Sequence, residues 1–203
     1  MRLVSKLTTI RLLTALALLC AGPALAQDFA AGMTAHLDKR YGESRRVFGS
    51  LADAGNVRAQ FMMGTIFEQG LGVHKDLSAA ARWYRAAADG GNASAQYNLG
   101  VFYQFGKGVG KDSAVAAKLL RQAAEQGHGR AQNNLSTFYF TGVGVAQDLV
   151  EAWKWLTLSA DRLKGQAREL VLGNRRVIEG KLKPEELADA KRRVAAWRKK
   201  RAG

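Results

Sequence analysis

Cysteine is almost absent from this chain of 203 residues: Cys20 is the only one. It lies in an N-terminal stretch that reads as a leader, so the rest of the chain can form no disulfide and must hold together by packing alone. A second apolar run long enough to span a bilayer is also missing. Histidine is scarce. His36, His74 and His128 lie far apart, no pair has metal-ligand spacing, and there is no cysteine to complete a donor set. No serine sits in a nucleophile elbow. The reading is therefore of a non-enzymatic chain with no cofactor and no metal. Acidic residues are few, 17 against 31 lysines and arginines.

The leader has three parts. Arg2, Lys6 and Arg11 give a basic start, Leu12 to Ala21 is apolar without a charge, and Ala24-Leu25-Ala26 offers small residues to a signal peptidase. Residues 1–26 are expected to be a cleaved signal peptide, which places the remainder in the periplasm and away from nucleic acid. Leu19 precedes Cys20, where a lipoprotein signal wants a small residue; an uncleaved or lipidated anchor is the alternative. The basic excess lies at the other end. Residues 27–161 hold 14 basic and 12 acidic groups, whereas residues 162–203 hold 14 and 5, ending in Arg198-Lys199-Lys200-Arg201. Such a segment suits an acidic partner or an anionic membrane face; a solvated helix face and a basic tail account for it equally.

What is abundant is repetition, with a period of 36 residues. Ala59-Gln60 returns as Ala95-Gln96 and Ala131-Gln132. Gly70-x-Gly72-Val73-x-x-Asp76 returns at Gly106, Gly108, Val109 and Asp112, and again at Gly142, Gly144, Val145 and Asp148. Ala80, Ala116 and Ala152 follow, then Ala88, Ala124 and Ala160. Eight positions are identical in all three copies without insertion or deletion. A strict period of this length marks a solenoid of stacked supersecondary units.

Within one copy the apolar spacing is helical. Ala95, Leu99, Phe102 and Tyr103 form the stripe of one helix, A; Ala116, Leu119, Leu120 and Ala123 form that of a second, B. The Asp before each B helix is placed to accept from its free first-turn N–H groups, and Gly127 suits the left-handed residue that ends one. The Gly-x-Gly-Val loop follows a helix and recurs in every copy, so it reads as a helix reversal plugged by valine rather than a phosphate loop. His74 and His128 fall at loop or helix-end positions that vary between copies and read as solvated. Asp76, Asp112 and Asp148 read as caps held apart along the stack, not as paired carboxylates.

Ala95-Gln96-x-x-Leu99-Gly100-x-x-Tyr103, then Gly106, Gly108, Val109 and Asp112, resembles the Sel1-like repeat family, the αα relatives of tetratricopeptide repeats. Leu119-Leu120 depart from the family's Trp-Tyr, which Trp83-Tyr84 keep. In the third copy Ser136 replaces the glycine and Leu156 the second aromatic. The resemblance implies an all-α, right-handed αα solenoid that binds another protein or peptide as a scaffold, adaptor or regulator. Family members reported to act on β-lactams are cysteine-rich, unlike this chain; a hydrolase acting on a β-lactam or cell-wall substrate is the alternative reading, and a basic protein docking on an anionic membrane a third.

The organisation expected is a leader at 1–26, a degenerate helix pair at 27–56, three repeats at 57–161, and capping helices with a basic tail at 162–203. In the flank, Phe29 to Lys39 and Tyr41 to Ala54 form the pair, with Val47, Phe48 and Leu51 inward. After the repeats, Lys164 to Leu172 forms a last A helix through Ala167, Leu170 and Val171, and a closing helix begins near Pro184 with the stripe Leu187, Ala190, Val194 and Trp197. The A helices of such stacks line a concave groove. Their variable positions put Arg58, Phe61, Thr65 and Glu68 there from the first repeat. The second adds Ser94, Tyr97, Val101 and Gln104, and the third Arg130, Asn133, Thr137 and Phe140. Aromatic residues beside arginine and asparagine suit a peptide; partial burial of Phe61, Tyr97 and Phe140 against neighbouring helices is the competing reading.

Overall fold

A computed structural model of the chain describes residues 28–202, so the leader lies outside the described residues. Those residues form ten α-helices and no strand. They are α1 (28–37), α2 (Tyr41–Asp53), α3 (Val57–Gln69), α4 (Leu77–Asp89), α5 (Ala93–Phe105), α6 (Ser113–Glu125), α7 (Gly129–Thr141), α8 (Leu149–Ala160), α9 (Gly165–Glu179) and α10 (Pro184–Ala202). In the three repeats, α3, α5 and α7 are the A helices and α4, α6 and α8 the B helices. Each A helix packs on the B helix before it and the B helix after it, which makes an αα solenoid. No described helix is long and apolar enough to cross a membrane.

Polar side chains fix where the helices begin. Asp76, Asp112 and Asp148 accept from first-turn N–H groups of α4, α6 and α8 at 2.8–3.0 Å, each cap being worth about 1 kcal/mol. Asn56 and Asn92 do the same for α3 and α5. At the A-helix ends Gly70, Gly106 and Gly142 adopt φ of 73°, 69° and 72°, and their N–H groups close onto the carbonyls of Ile66, Phe102 and Phe138.

The loop glycines have a second use. A Cβ on Gly72 would strike Tyr41, one on Gly108 the backbone of Leu77, and one on Gly144 the backbone of Ser113. Tyr41, Leu77 and Ser113 are the first residues of α2, α4 and α6, so each loop lands on the start of the preceding B helix. That landing on Tyr41 also shows α2 in the place of a B helix. The motif glutamines tie neighbours together too. The Nε2 groups of Gln60, Gln96 and Gln132 donate to the carbonyls of Ala52, Ala88 and Ala124 at 3.3, 3.2 and 3.1 Å, across the turn from one repeat to the next. Arg85 and Arg121 on the B helices donate to Tyr103 and Tyr139 on the following A helices.

The core between helices is small-on-large. A Cβ on Gly64 would sit 2.5 Å from the Tyr84 ring, and one on Gly100 3.1 Å from Leu120. In the third copy the residue opposite is Leu156, and there Ser136 stands where glycine was, buried with its hydroxyl on the Asn133 carbonyl at 2.6 Å. Leu156 leaves room for the Ser136 side chain where the Tyr84 ring leaves none over Gly64; leucine alone does not free the position, since Leu120 still closes to 3.1 Å on Gly100. Each fully buried large side chain contributes about 1.5–3 kcal/mol; Tyr84, Phe102, Leu120, Leu135, Trp155 and Leu156 are the main ones in the repeats.

The N-terminal pair turns at Lys39, at φ 59°, without a Gly-x-Gly loop. Phe48 and Leu51 are buried, with Phe29 5.2 Å from Phe48, and Val47 is half-buried. The C-terminal end departs from expectation. α9 runs on to Glu179, and its buried residues are Val171 and Ile178; Ala167 and Leu170, expected inward, are exposed. Ala167 and Leu170 face α7 across a hollow, and α10 packs on α8. Ala190 and Val194 of α10 are buried, and Trp197 lies edge-on to Trp155 at 6.4 Å. Arg193 binds Glu151 at 2.8 Å, Arg198 binds Asp161 at 2.7 Å, and Trp197 and Arg201 reach Glu125 on α6. Part of the basic segment is thus spent on the stack itself.

Candidate interaction groove

The A helices α5, α7 and α9 stand side by side, and three shallow hollows lie along them. The first, about 300 Å³, lies between Tyr97, Arg130, Asn133 and Asn134 on one side and Leu163, Ala167, Leu170 and Val171 on the other. The second, about 260 Å³, is lined by Ser136, Thr137, Phe140 and Leu156 with Asn174, Val177 and Ile178. The third, about 230 Å³, brings Gln104 and Phe105 against Thr137, Phe138, Thr141 and Val143, with Lys111 and Ser113 at its edge. Thr137 belongs to both the second and the third, which makes them one strip across the C-terminal ends of the three helices.

Apolar exposure concentrates here. Phe105 is 62 %, Val143 50 %, Leu170 65 % and Val177 60 % exposed, and all four line these hollows. Apolar surface of this kind rimmed by amides and hydroxyls marks interaction sites. The charged lining residues are Arg130 and Lys111, both basic. Among the described residues no group of three or more His, Cys, Asp or Glu could hold a metal ion.

Of the residues expected in the groove, the structure gathers Tyr97, Arg130 and Asn133 into the first hollow, and Gln104, Thr137 and Phe140 into the strip. Arg58, Phe61, Thr65, Glu68, Ser94 and Val101 line none of the three. Arg58 lies 4.1 Å over the Phe29 ring, and Phe61 is half-buried 5.8 Å from Tyr84. The Thr65 hydroxyl donates to the Phe61 carbonyl at 3.2 Å, and Glu68 accepts from the Tyr84 hydroxyl at 2.5 Å. Burial and Glu68 push the Tyr84 hydroxyl well above its ordinary range. Ser94 and Val101 are half-buried. Phe105, Val143, Leu170 and Val177 were not foreseen as groove residues.

His128 differs from the solvated residue expected. Its Nδ1 accepts from the Ala131 N–H at 3.2 Å, so it caps α7. Its ring is half-buried and stacks on Tyr97 at 4.7 Å. Burial, then the charge of Arg130, holds the imidazole below its usual pKa. The signal was in the register: His128 lies 36 residues after Asn92, which lies 36 after Asn56.

Stacked αα hairpins with an open, apolar-edged groove define a helical-repeat solenoid, a class that offers extended binding surfaces. The Sel1 repeat model matches residues 57–92, 93–128 and 129–162, more than half of the chain, and the chain belongs to the Sel1 repeat family. The crystal structure of a Sel1 repeat protein from Oxalobacter formigenes is similar, with a TM-score of 0.65 and 32 % identity over 68 % of this chain and 56 % of that one. So is c5321, a protective antigen present in uropathogenic Escherichia coli strains that displays an SLR fold. Its TM-score is 0.55 and its identity 28 %, over 76 % of this chain and 40 % of that one. The chain thus spans about half the length of these solved relatives. No curated protein matches it. The Sel1 repeat is a fold of protein–protein interaction.

Proposed function

We propose that this chain is an exported adaptor or scaffold that holds a segment of another protein across the ends of α5, α7 and α9. The observation that carries this reading is the strip of exposed Phe105, Val143 and Val177, joined through Thr137 and bordered by basic rather than acidic side chains. Export rests on the leader pattern at residues 1–26 and places the partner in the periplasm. The side chains offered are apolar, amide and hydroxyl groups suited to grip a segment without chemistry at any one atom.

The test is co-purification of the tagged chain from the cells that make it, beside Val143→Glu and Phe105→Glu. Both residues are exposed, so the fold should survive. A discrete protein that follows the wild type but neither variant, together with a mature N-terminus at Gln27, is the expected result. A partner retained by both variants would move the site off the strip; an N-terminus at Met1 would overturn the cleaved leader in favour of the uncleaved anchor if the chain fractionates with the periplasmic side, and would remove the export reading if it fractionates with the cytoplasm.

A further inference from the structure

Four carboxamides line the hollows: Asn133 and Asn134 the first, Asn174 the second and Gln104 the third. Their side chains form no hydrogen bond among the described residues. Other amides of the stack are engaged. Asn56 and Asn92 cap helices, Gln60, Gln96 and Gln132 tie repeat to repeat, and Gln147 donates to the Phe140 carbonyl. In Gln104 the Oε1 is buried without a hydrogen-bond partner. Its counterpart 36 residues earlier, Glu68, holds the Tyr84 hydroxyl, but the place of Tyr84 is taken in the second repeat by Leu120, which has nothing to bond. A buried acceptor left unpaired destabilises the chain that carries it.

The charge along the groove has one sign. Arg130 lines the first hollow and Lys111 the third, and neither forms a salt bridge among the described residues. No acid lines any of the three. Glu169 stands beside Leu170 at the outer lip and faces Arg168 at 3.4 Å, and Asp112, next to Lys111, is committed to the first turn of α6.

These features select among occupants. A glycan would answer the amides but leave the exposed Val143, Leu170 and Val177 without apolar partners. A helix would answer the aliphatic side chains, but it spends its backbone groups within itself, so the amides would meet only its side chains. An extended polypeptide answers both. It offers an N–H and a C=O at each residue, which match the donors and acceptor of a carboxamide. Its apolar side chains meet the valines, and its acidic ones meet Arg130 and Lys111. We infer that the groove binds an extended, acidic segment of a partner protein by its main chain, with Gln104, Asn134 and Asn174 bonding its peptide groups. This rests on the interaction reading above and specifies its partner.

The test selects binders of the full chain from a library of random linear peptides of about twelve residues, about 40 Å long when extended. The selected peptides are expected to carry acidic residues and no helical period. Replacing one backbone amide of a binder by an ester removes an N–H and keeps every side chain; at contacting positions it should weaken binding by about fivefold or more. Gln104→Met should weaken binding by about fivefold or more while the melting temperature holds or rises, because the orphaned oxygen goes with the amide. Damage to the fold does not produce that combination. Lys111→Glu should weaken binding by about fivefold. No enrichment, binders that are helical, or binding indifferent to the esters and to Gln104→Met would overturn the inference. If binders are lost with Val143→Glu and Phe105→Glu but tolerate the esters and Gln104→Met, the strip reading stands and main-chain recognition falls. If the partner in cells survives both strip variants, the interaction reading itself fails.

Discussion

Exchanging the residues of one repeat for those of another tests the packing logic directly. In the first repeat the Tyr84 ring lies over Gly64, with ring carbons 2.5, 2.6 and 3.0 Å from where a Cβ would stand. The ring cannot retreat. It is fully buried, lies 5.5 Å from Phe102 and 5.8 Å from Phe61, and is held through its hydroxyl by Glu68. Gly64→Ser should therefore cost about 1–3 kcal/mol in overpacking, less about 0.5 kcal/mol regained in helix propensity. Tyr84→Leu should cost about 2–4 kcal/mol through the lost ring and the abandoned Glu68 bond. The double variant recreates the Ser136–Leu156 pair that the third repeat already accommodates. It should be less destabilised than the sum of the singles by about 1–2 kcal/mol. Urea unfolding followed by tryptophan fluorescence on the four proteins gives this coupling. Additive effects to within about 0.5 kcal/mol would refute the claim that the ring forces the glycine.

Four other variants have outcomes set by the geometry. His128 caps α7 only when neutral, and its pKa is depressed in the folded chain. The unfolded chain takes up the proton first, so the cap's contribution is whole above about pH 6.5 and is lost as pH falls below it; His128→Asn should flatten the change in melting temperature between about pH 7.5 and 5.5. Gly108→Ala combines φ +65° with a Cβ driven into the Leu77 backbone, and should cost about 3 kcal/mol or more in thermal unfolding. Gly110→Ala, with nothing within 4 Å, should stay within about 0.5 kcal/mol of wild type. Trp197→Ala removes the edge contact on Trp155 and the bond to Glu125; hydrogen exchange should then quicken in α10 while α3 to α7 keep their protection.

The repeats were legible because their determinants are local. Asp76, Asp112 and Asp148 cap the helices their spacing implied, and the Gly-x-Gly loop reverses the chain where the period put it. Read in register, Asn56, Asn92 and His128 announce a cap as well, but His128 judged by residue type alone looks like surface. The relation of Gly64 to Tyr84 and of Ser136 to Leu156 was visible only as two separate departures. The C-terminal end was not legible. α10 is held on α8 through ion pairs such as Arg193 with Glu151, 42 positions apart, that no local pattern encodes, and the gap between α7 and α9 that leaves Ala167 and Leu170 exposed is likewise set by helix placement. The groove was half legible for the same reason: its α5 and α7 residues follow from helix periodicity, and its α9 wall does not.

The central claim is that the strip across α5, α7 and α9 holds another protein. A photoreactive amino acid replacing Val143 or Val177, compared in living cells with the same residue replacing the exposed B-helix positions Arg82 and Lys118, tests it most directly. The account predicts a discrete protein adduct from positions 143 and 177 and none from 82 and 118. Adducts from the B-helix positions alone would contradict it.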